Sequence, residues 1–548
     1  MMATTASTRI SRDSFKQLGT VLFCLTDSAD GAAGQTGRTV PECLNHLQFG
    51  GIYSFLLFYL EVSIYYRIFA TERDIDICCS PKIMSKTRTL LLAILLIGIC
   101  LKSSAIKVVV LSDPHVMAPE LLVNEGTAWT TYLNGQRKMV DYSKLLFDDM
   151  IGRIKEDMRP ELVLITGDLT KDGEQVSHKY VTSKLDELRA IGIKTLVIPG
   201  NHDRGSNSDA VYYDGESTTA ATVATNEWFA TQYANYGYGV SSEREETTLT
   251  YACEPITGLV VIGIDSGTDG NVSETTLDWV VEKATAARAS GKKVIAMMHH
   301  PLMPHFAGVD NFVSTAVVGN YETVRNTLAD AGIRVVFTGH FHTSDIAKDW
   351  NADMTREIYD VNTGSLISYP CDYREVTMSA DLSEMSIMTG HSTAIASETA
   401  KERLKSAMQT KIASKGTAYS MIASTAAQAF VIHAEGNETE NASAATTLAT
   451  LVNAADIGKA FIGDAKAQEL KDMATSMLQD KSQYGTDREN VTNDLMLSIE
   501  LPEATTGIMN AYSHVDVIPS ECYSIHGIKV ARPTKGIYIS NGKKVVIK

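Results

Sequence analysis

The chain reads as an α/β protein, with helix-covered sheets first, then a helical accessory region, then a small β module. Three observations predict this. From Ile106 to Met378, short apolar runs alternate with longer stretches whose apolar residues recur at helical spacing, the pattern of sheets covered by helices. From about Ser397 to Met496 the composition turns to Ala, Thr, Lys, Glu and Met with helical periodicity. Near the end, Asn541-Gly542 separates two β-rich runs, which is a hairpin signal.

The elements follow in order. Ile106 to Leu111 is predicted as a strand, Ser143 to Met158 as a helix, Leu162 to Thr166 as a strand, Val176 to Ile191 as a helix and Thr195 to Ile198 as a strand. Residues 204–245 then form a long polar insertion holding Tyr212, Tyr213, Trp228, Phe229, Tyr233 and Tyr236. Insertions of that length are commonly lids or binding loops, so this one is expected to shape a pocket. Strands resume at Leu249 to Cys253 and Leu259 to Ile264, followed by a helix over Glu274 to Arg288 and a strand over Lys293 to Met298. A helix over Tyr321 to Ala331 precedes strands at Arg334 to Thr338, Arg356 to Val361 and Glu375 to Met378. His433, within the helical region, reads as an ordinary surface or core histidine.

The N-terminus carries a different signal. Lys86-Thr-Arg88, the apolar run Leu90 to Leu101 and Ser103-Ser-Ala105 are the three parts of a secretory signal peptide. The run is short for a bilayer, since a spanning helix needs about 20 residues. Cleavage after Ala105 would start the mature protein on its first strand; Cys100 offers a lipoprotein alternative, which Ile99 fits poorly. Residues 1–83 precede the signal and include the apolar run Ile52 to Phe69, interrupted by Glu61. They read as a second membrane segment or, more simply, as an extension upstream of a start at Met84. Of eight cysteines, only Cys253, Cys371 and Cys522 follow Ile106, which allows at most one disulfide and no Cys-x-x-Cys zinc site. The formal net charge of −16 argues against a nucleic-acid backbone as the main partner.

The chemistry collects at strand ends. Ser112-Asp-Pro-His115, Thr166-Gly-Asp168, Gly200-Asn-His-Asp203, His299-His-Pro301 and Gly339-His-Phe-His342 each follow an apolar run. Glycine at 167, 200 and 339 lets the backbone turn sharply and approach an ion closely. Two cations about 3.5–4 Å apart need a bridging anion plus oxygen and nitrogen ligands on each side. Asp168, on a short turn, is the candidate bridge. Imidazole and carboxylate suit Zn, Fe or Mn, and no thiolate is present to favour a soft metal.

This ordered set resembles the calcineurin-like metallophosphoesterase superfamily, whose blocks are Asp-x-His, Gly-Asp, Gly-Asn-His-Asp/Glu, His and Gly-His-x-His. Every block is present across residues 106–378. The resemblance implies a four-layer α/β/β/α sandwich of two mixed sheets. It implies that Asp113, His115, Asp168 and His342 hold one metal, and Asp168, Asn201, His299 and His340 the other. His299 is chosen over His300 because it matches the family's Val-x-x-His block; His300 would sit near the pocket or orient its neighbour. The implied reaction is in-line attack on phosphorus by a metal-bridging hydroxide. His202 would act as general acid or electrostatic stabiliser, with Asp203 fixing its ring. Arg204 would contact phosphate or lie solvated. Lys171 stands where purple acid phosphatases have a Tyr, which disfavours a tyrosinate-bound ferric ion. The run Gly167-Asp-Leu-Thr-Lys-Asp-Gly-Glu174 looks like the branch with cyclic-nucleotide and glycerophosphodiester phosphodiesterases, and leans the substrate toward a diester.

The tail Gly536-Ile-Tyr-Ile-Ser-Asn-Gly-Lys-Lys-Val545 resembles the C-terminal sorting module of type IX secretion. The resemblance implies export, with the secretion machinery as partner, to the periplasm, cell surface or medium. The expected layout is residues 1–83 as extension, 84–105 as signal, 106–390 as phosphoesterase domain, 397–505 as helical accessory domain and 512–548 as β module. The leading expectation is an exported dinuclear-metal phosphodiesterase acting on a small phosphoester. The alternatives are a phosphomonoesterase of nucleotidase or acid-phosphatase type, and a surface binding protein with an inactive domain. The oligomeric state is not encoded in any of these features.

Overall fold

The computed structural model describes residues 105–205, 207–239, 242–309, 315–436, 441–479 and 495–499, with the backbone of five short strands between Ser513 and Ile547. The proposed extension and all but the last residue of the signal lie outside the described residues. Among the described residues no helix is long and apolar enough to cross a membrane.

Two mixed sheets form the centre. The first runs, across its strands, Leu495–Ser498, Glu384–His391, Asp372–Met378, Ile106–Leu111, Leu162–Ile165 and Lys194–Val197, the last three mutually parallel. The second runs Asp345–Trp350, Glu357–Asn362, Val335–Thr338, Lys293–Met298, Leu259–Ile264, Tyr251–Ile256 and Ser242–Arg244, with a parallel centre and antiparallel edges. Parallel strands covered on both faces read as continuous apolar runs, which is why these central strands were legible.

Strand Lys293–Met298 shows the layering. Ile295 and Met297 enter the cluster shared with Val109, Val163 and Ile165 of the first sheet. Val294, Ala296 and Met298 turn the other way and pack against Leu277, Val280, Val324 and Leu328 of helices Glu274–Ala289 and Tyr321–Asp330. On the other side, helices Ser143–Arg153 and Gln175–Ala190 bring Leu146, Phe147, Val181 and Leu185 to the central cluster. The result is the expected α/β/β/α sandwich.

Three strands or segments depart from the sequence reading. Asp345–Trp350 is a full edge strand, hidden in the sequence by Asp345, Lys348 and Asp349. Those charges are buried because they are paired, Lys348 with Glu357 at 2.8 Å and Asp349 with Arg325. Leu495–Ser498, read as the end of the helical region, pairs antiparallel with Glu384–His391 and completes the first sheet. The aromatic insertion is core rather than lid. Phe229, Tyr233 and Tyr236 are buried against helix Gln175–Ala190, where Tyr233 Oη lies 2.8 Å from His178 Nδ1 and Tyr236 Oη donates to Asp186 at 2.6 Å.

Helices Ser397–Ala413, Thr417–Ala434, Ala444–Ile462 and Asp464–Leu478 form the helical region. Met408, Ile412, Phe430 and Met477 pack on Phe306, Val309 and Phe341 of the sandwich, and His433 is buried beside Phe306. Cys253 and Cys371 are free thiols. In the C-terminal segment, Gly536–Ser540 pairs antiparallel with Lys543–Ile547, as the intervening Asn-Gly predicts, within a five-stranded sheet.

Candidate metal centre

Parallel register brings the strand ends to one edge. Leu111 pairs with Ile165 and Ile165 with Val197, so Asp113, Asp168 and Asn201 emerge side by side from the first sheet. In the second sheet Ala296 pairs with Val336, which sets His299 beside His340 and His342. Backbone bonds then lock the loops. Asp113 N donates to Gly167 O at 3.1 Å, His115 N to Asp168 O at 2.9 Å and Gly339 N to His299 O at 2.9 Å. The two sheets are tied across the site by His340 N donating to Asp113 Oδ2 at 2.9 Å and by His299 Nδ1, 2.8 Å from Thr166 O.

The donors converge in two groups that share a residue. In the first, His342 Nε2 lies 3.2 Å from Asp113 Oδ1, and His115 Nε2 lies 3.5 Å from Asp168 Oδ2 and 3.2 Å from His342 Nε2. In the second, His299 Nε2 lies 3.4 Å from the same Asp168 Oδ2 and 3.3 Å from His340 Nδ1. Asn201 Oδ1 sits 3.1 Å from His299 Nε2 and 2.9 Å from His340 Nδ1. All seven residues expected as metal ligands therefore meet here, in the two sets expected.

The donor set fits a metal. It is carboxylate, imidazole and one amide oxygen, and the buried Asp113 Oδ1, although 3.2 Å from His342 Nε2, accepts no well-aligned hydrogen bond among the described residues. The charge states fit as well. Burial pushes His115 and His340 well below the ordinary imidazole range and His342 to about 4. Burial also acts to raise Asp168, but His299, His202 and His115 outweigh it and hold the carboxyl well below its usual range. Neutral imidazoles and ionised carboxylates are what ligation requires. His299 is the exception: burial acts to lower it, yet Asp168 and Asp113 lift it to about 9, so its proton supplies the positive charge that a cation would replace.

This convergence strains the backbone. Asp113, His115, Asp168, His340 and His342 have φ of 48°, 39°, 49°, 67° and 66°. The left-handed region costs an L-residue roughly 1–2 kcal/mol, with Asp and His among the more tolerant. Two glycines make room. A Cβ at Gly200 would lie 2.2 Å from Asp168 Oδ1, and one at Gly339 would lie 1.9 Å from Ser112 Oγ.

Beside the ligands, His202 is partly exposed and stands edge-on to His115 at 5.0 Å. The carboxylate that orients it is Asp172, not Asp203: His202 Nδ1 lies 2.8 Å from Asp172 Oδ1. Asp203 faces the other way and accepts from Gly200 N at 2.8 Å, Leu169 N at 3.0 Å and Thr170 N at 2.9 Å. It clamps the two ligand-bearing loops together. Asp172 is itself held by Lys171 and by Asn207 Nδ2 at 2.8 Å. Burial would raise it, but the His202 bond, Lys171 and Lys138 bring it to about 2. Arg204 is neither solvated nor at the site; it is buried in an ion pair with Asp265. His300 packs on the His340 ring at 4.4 Å, with Nδ1 2.8 Å from Ser266 Oγ.

Asp172→Asn is expected to lower kcat about 10–100-fold while metal content stays unchanged, since a partner that orients a working group carries effects of that size. Steady-state kinetics beside metal analysis checks this, and loss of metal instead would place Asp172 among the groups that hold the ions.

The site opens into a cleft of about 980 Å³. One wall holds Arg137, Lys138, His202, His340 and His342; the other is helix Ser397–Ala413, with Arg403, Met408 and Lys411. None of the six aromatic residues of the insertion lines it. Sequence reasoning missed Arg137, Lys138 and Asp172. The first two lie in a polar loop with no periodic pattern, while Asp172 was present in the run Asp168-Leu-Thr-Lys-Asp172.

The calcineurin-like phosphoesterase family model matches residues 106–344. A probable glycerophosphodiester phosphodiesterase from Arcobacter nitrofigilis is 25% identical over 212 residues, covering 37% of this chain and 64% of that protein. A cAMP/cGMP dual specificity phosphodiesterase from Mycobacterium tuberculosis is 22% identical over 225 residues, covering 39% of this chain and 60% of that protein. The chain thus spans less than two thirds of the length of either relative. A dimetal phosphatase of known structure from Danio rerio aligns with a TM-score of 0.37 and 13% identity, over 52% of this chain and 96% of that one.

Proposed function

We propose that this chain is an exported hydrolase of phosphodiesters that works with two metal ions; the match of the calcineurin-like phosphoesterase family model to residues 106–344 and the buried His/Asp cluster support this reading. The observation that carries the reading is Asp168 Oδ2, which belongs to both ligand groups. Asp113, His115, Asp168 and His342 would hold one ion, and Asp168, Asn201, His299 and His340 the other. Mn, Fe and Zn all suit these donors. When bound, the ions supply Lewis acidity toward the phosphoryl oxygens and a water of lowered pKa.

The chain's own contribution is orientation and proton delivery. Asp172 fixes the His202 ring through Nδ1. That leaves Nε2 for the leaving oxygen, the position of a general acid. The names of the two phosphodiesterase relatives support a diester as substrate. Export rests on the signal-like run Lys86 to Ala105 and the C-terminal tail, and it makes the secretion machinery a transient partner.

The test is hydrolysis of bis-p-nitrophenyl phosphate against p-nitrophenyl phosphate by metal-free protein and by protein loaded with Mn, Zn or Fe, with bound metal counted. The expected result is metal-dependent turnover that favours the diester, with two ions per chain. Preference for the monoester would overturn the diester assignment, and no turnover with any metal would overturn the enzyme reading.

A further inference from the structure

The cleft holds two cations, Arg137 and Lys138, that form no ion pair among the described residues. Arg137 and Lys138 lie between helices Thr127–Asn134 and Ser143–Arg153 and face the cleft. Lys138 is 6% exposed, so its ammonium is essentially withdrawn from water. Its nearest polar partners are His115 Nδ1 at 3.1 Å, His115 Nε2 at 3.4 Å and His202 Nε2 at 3.5 Å, and among the described residues no carboxylate lies within ion-pair distance. Arg137, half-buried next to it, makes no hydrogen bond or ion pair among the described residues.

Burying a cation without a counter-charge is strongly unfavourable, and two adjacent ones repel each other. Burial pulls Arg137 below its ordinary range, only partly offset by Asp113. Lys411 of helix Ser397–Ala413 adds a third positive charge to the lining of the same cleft. Arg403 of the same helix is paired with Asp141 and Glu402 supplies one negative charge to the lining, which leaves Arg137, Lys138 and Lys411 without an ion pair among the described residues. A single scissile phosphodiester carries one negative charge, which the metal ions would already engage. The remaining cations call for a second anion.

We propose that Arg137 and Lys138 form an anion subsite beside the metal centre, and that the ester hydrolysed here carries a second phosphate group which this subsite receives. This rests on the phosphodiesterase reading for the reaction, but the subsite itself can be tested without it. Guanidinium and ammonium bonds to phosphate are charge-assisted, and Arg engages phosphate through two parallel bonds.

The first measurement is calorimetric titration of the metal-free protein with inorganic pyrophosphate. Binding is expected to weaken about tenfold or more in Arg137→Gln and in Lys138→Gln, as loss of one charge-assisted contact predicts. No binding to the unsubstituted protein, or equal binding by folded variants, would overturn the subsite. The second uses the metal-loaded, unsubstituted protein with p-nitrophenyl thymidine 5′-phosphate, with and without a 3′-phosphate. The added phosphate should raise kcat/KM about tenfold, chiefly through KM. Equal turnover of the two esters would overturn the proposal. Turnover of neither would sink the phosphodiesterase reading, and with it the second phosphate as a substrate feature, leaving the titration to decide whether the subsite exists.

Discussion

Asp168→Ala is expected to abolish both metal binding and turnover. Asp168 Oδ2 lies 3.5 Å from His115 Nε2 and 3.4 Å from His299 Nε2, so one oxygen serves both ligand groups. Its Oδ1 accepts from His202 N at 2.8 Å and ties the His202 loop to the same side chain. Removing it leaves clustered imidazoles without their shared anion. Metal catalysis is worth several kcal/mol, and each 1.36 kcal/mol is tenfold, so kcat/KM should fall roughly a thousandfold or more. Asn201→Ala, which reaches only the second group, should be milder. Elemental analysis and diester kinetics on folded protein check both. An Asp168→Ala protein that kept two ions and a substantial share of its activity would remove the bridging role.

His305→Leu should cost about 3–5 kcal/mol of stability at neutral pH, the usual penalty for removing one partner of a buried charge cluster. His305 is buried between two carboxylates, with Nδ1 3.0 Å from Asp345 Oδ2 and Nε2 3.2 Å from Asp360 Oδ2. Burial alone would drive it neutral, but Asp360 and Asp345 outweigh burial and raise it to about 10. Its folded pKa therefore lies above the ordinary value of 6.5, and its contribution is fully present below that value. The contribution fades as pH rises and is lost through about 10. Thermal melts at pH 7 and near pH 10 should show the gap between the two proteins closing toward the alkaline end. A gap that stayed constant with pH would mean that His305 acts by packing alone.

His305 also marks the limit of what the sequence discloses. The five strand ends that supply the His/Asp cluster and Asn201 were legible because buried parallel strands write continuous apolar runs, and a Gly, Asp or His just beyond such a run is conspicuous. The fold followed from the same runs. What stayed hidden depends on contacts between segments far apart in the chain. Asp172 and Asp203 are both acids near His202, and only the packing of the two loops decides that Asp203 turns to the amides of Gly200, Leu169 and Thr170. Asp345–Trp350 carries no strand signal in the sequence because its charges find their partners, Glu357, Arg325 and His305, only in the fold. The aromatic insertion looked like a pocket wall because the sequence does not show that helix Gln175–Ala190 lies beneath it. Arg137 and Lys138 carry no pattern at all until the cleft around them is seen.

The return of Leu495–Ser498 to the edge of the first sheet changes what the four helices are. Attached at one end, they would be a pendant block that must find the cleft by diffusion about a tether. Anchored at both ends in the same sheet, they form a closed excursion of the chain, and docking over the cleft becomes an intramolecular event at high effective concentration. Part of the entropy of ordering that wall is therefore spent when the sheet itself forms, not each time a substrate arrives. The cleft's far side is in this sense inherited from the sheet's last strand.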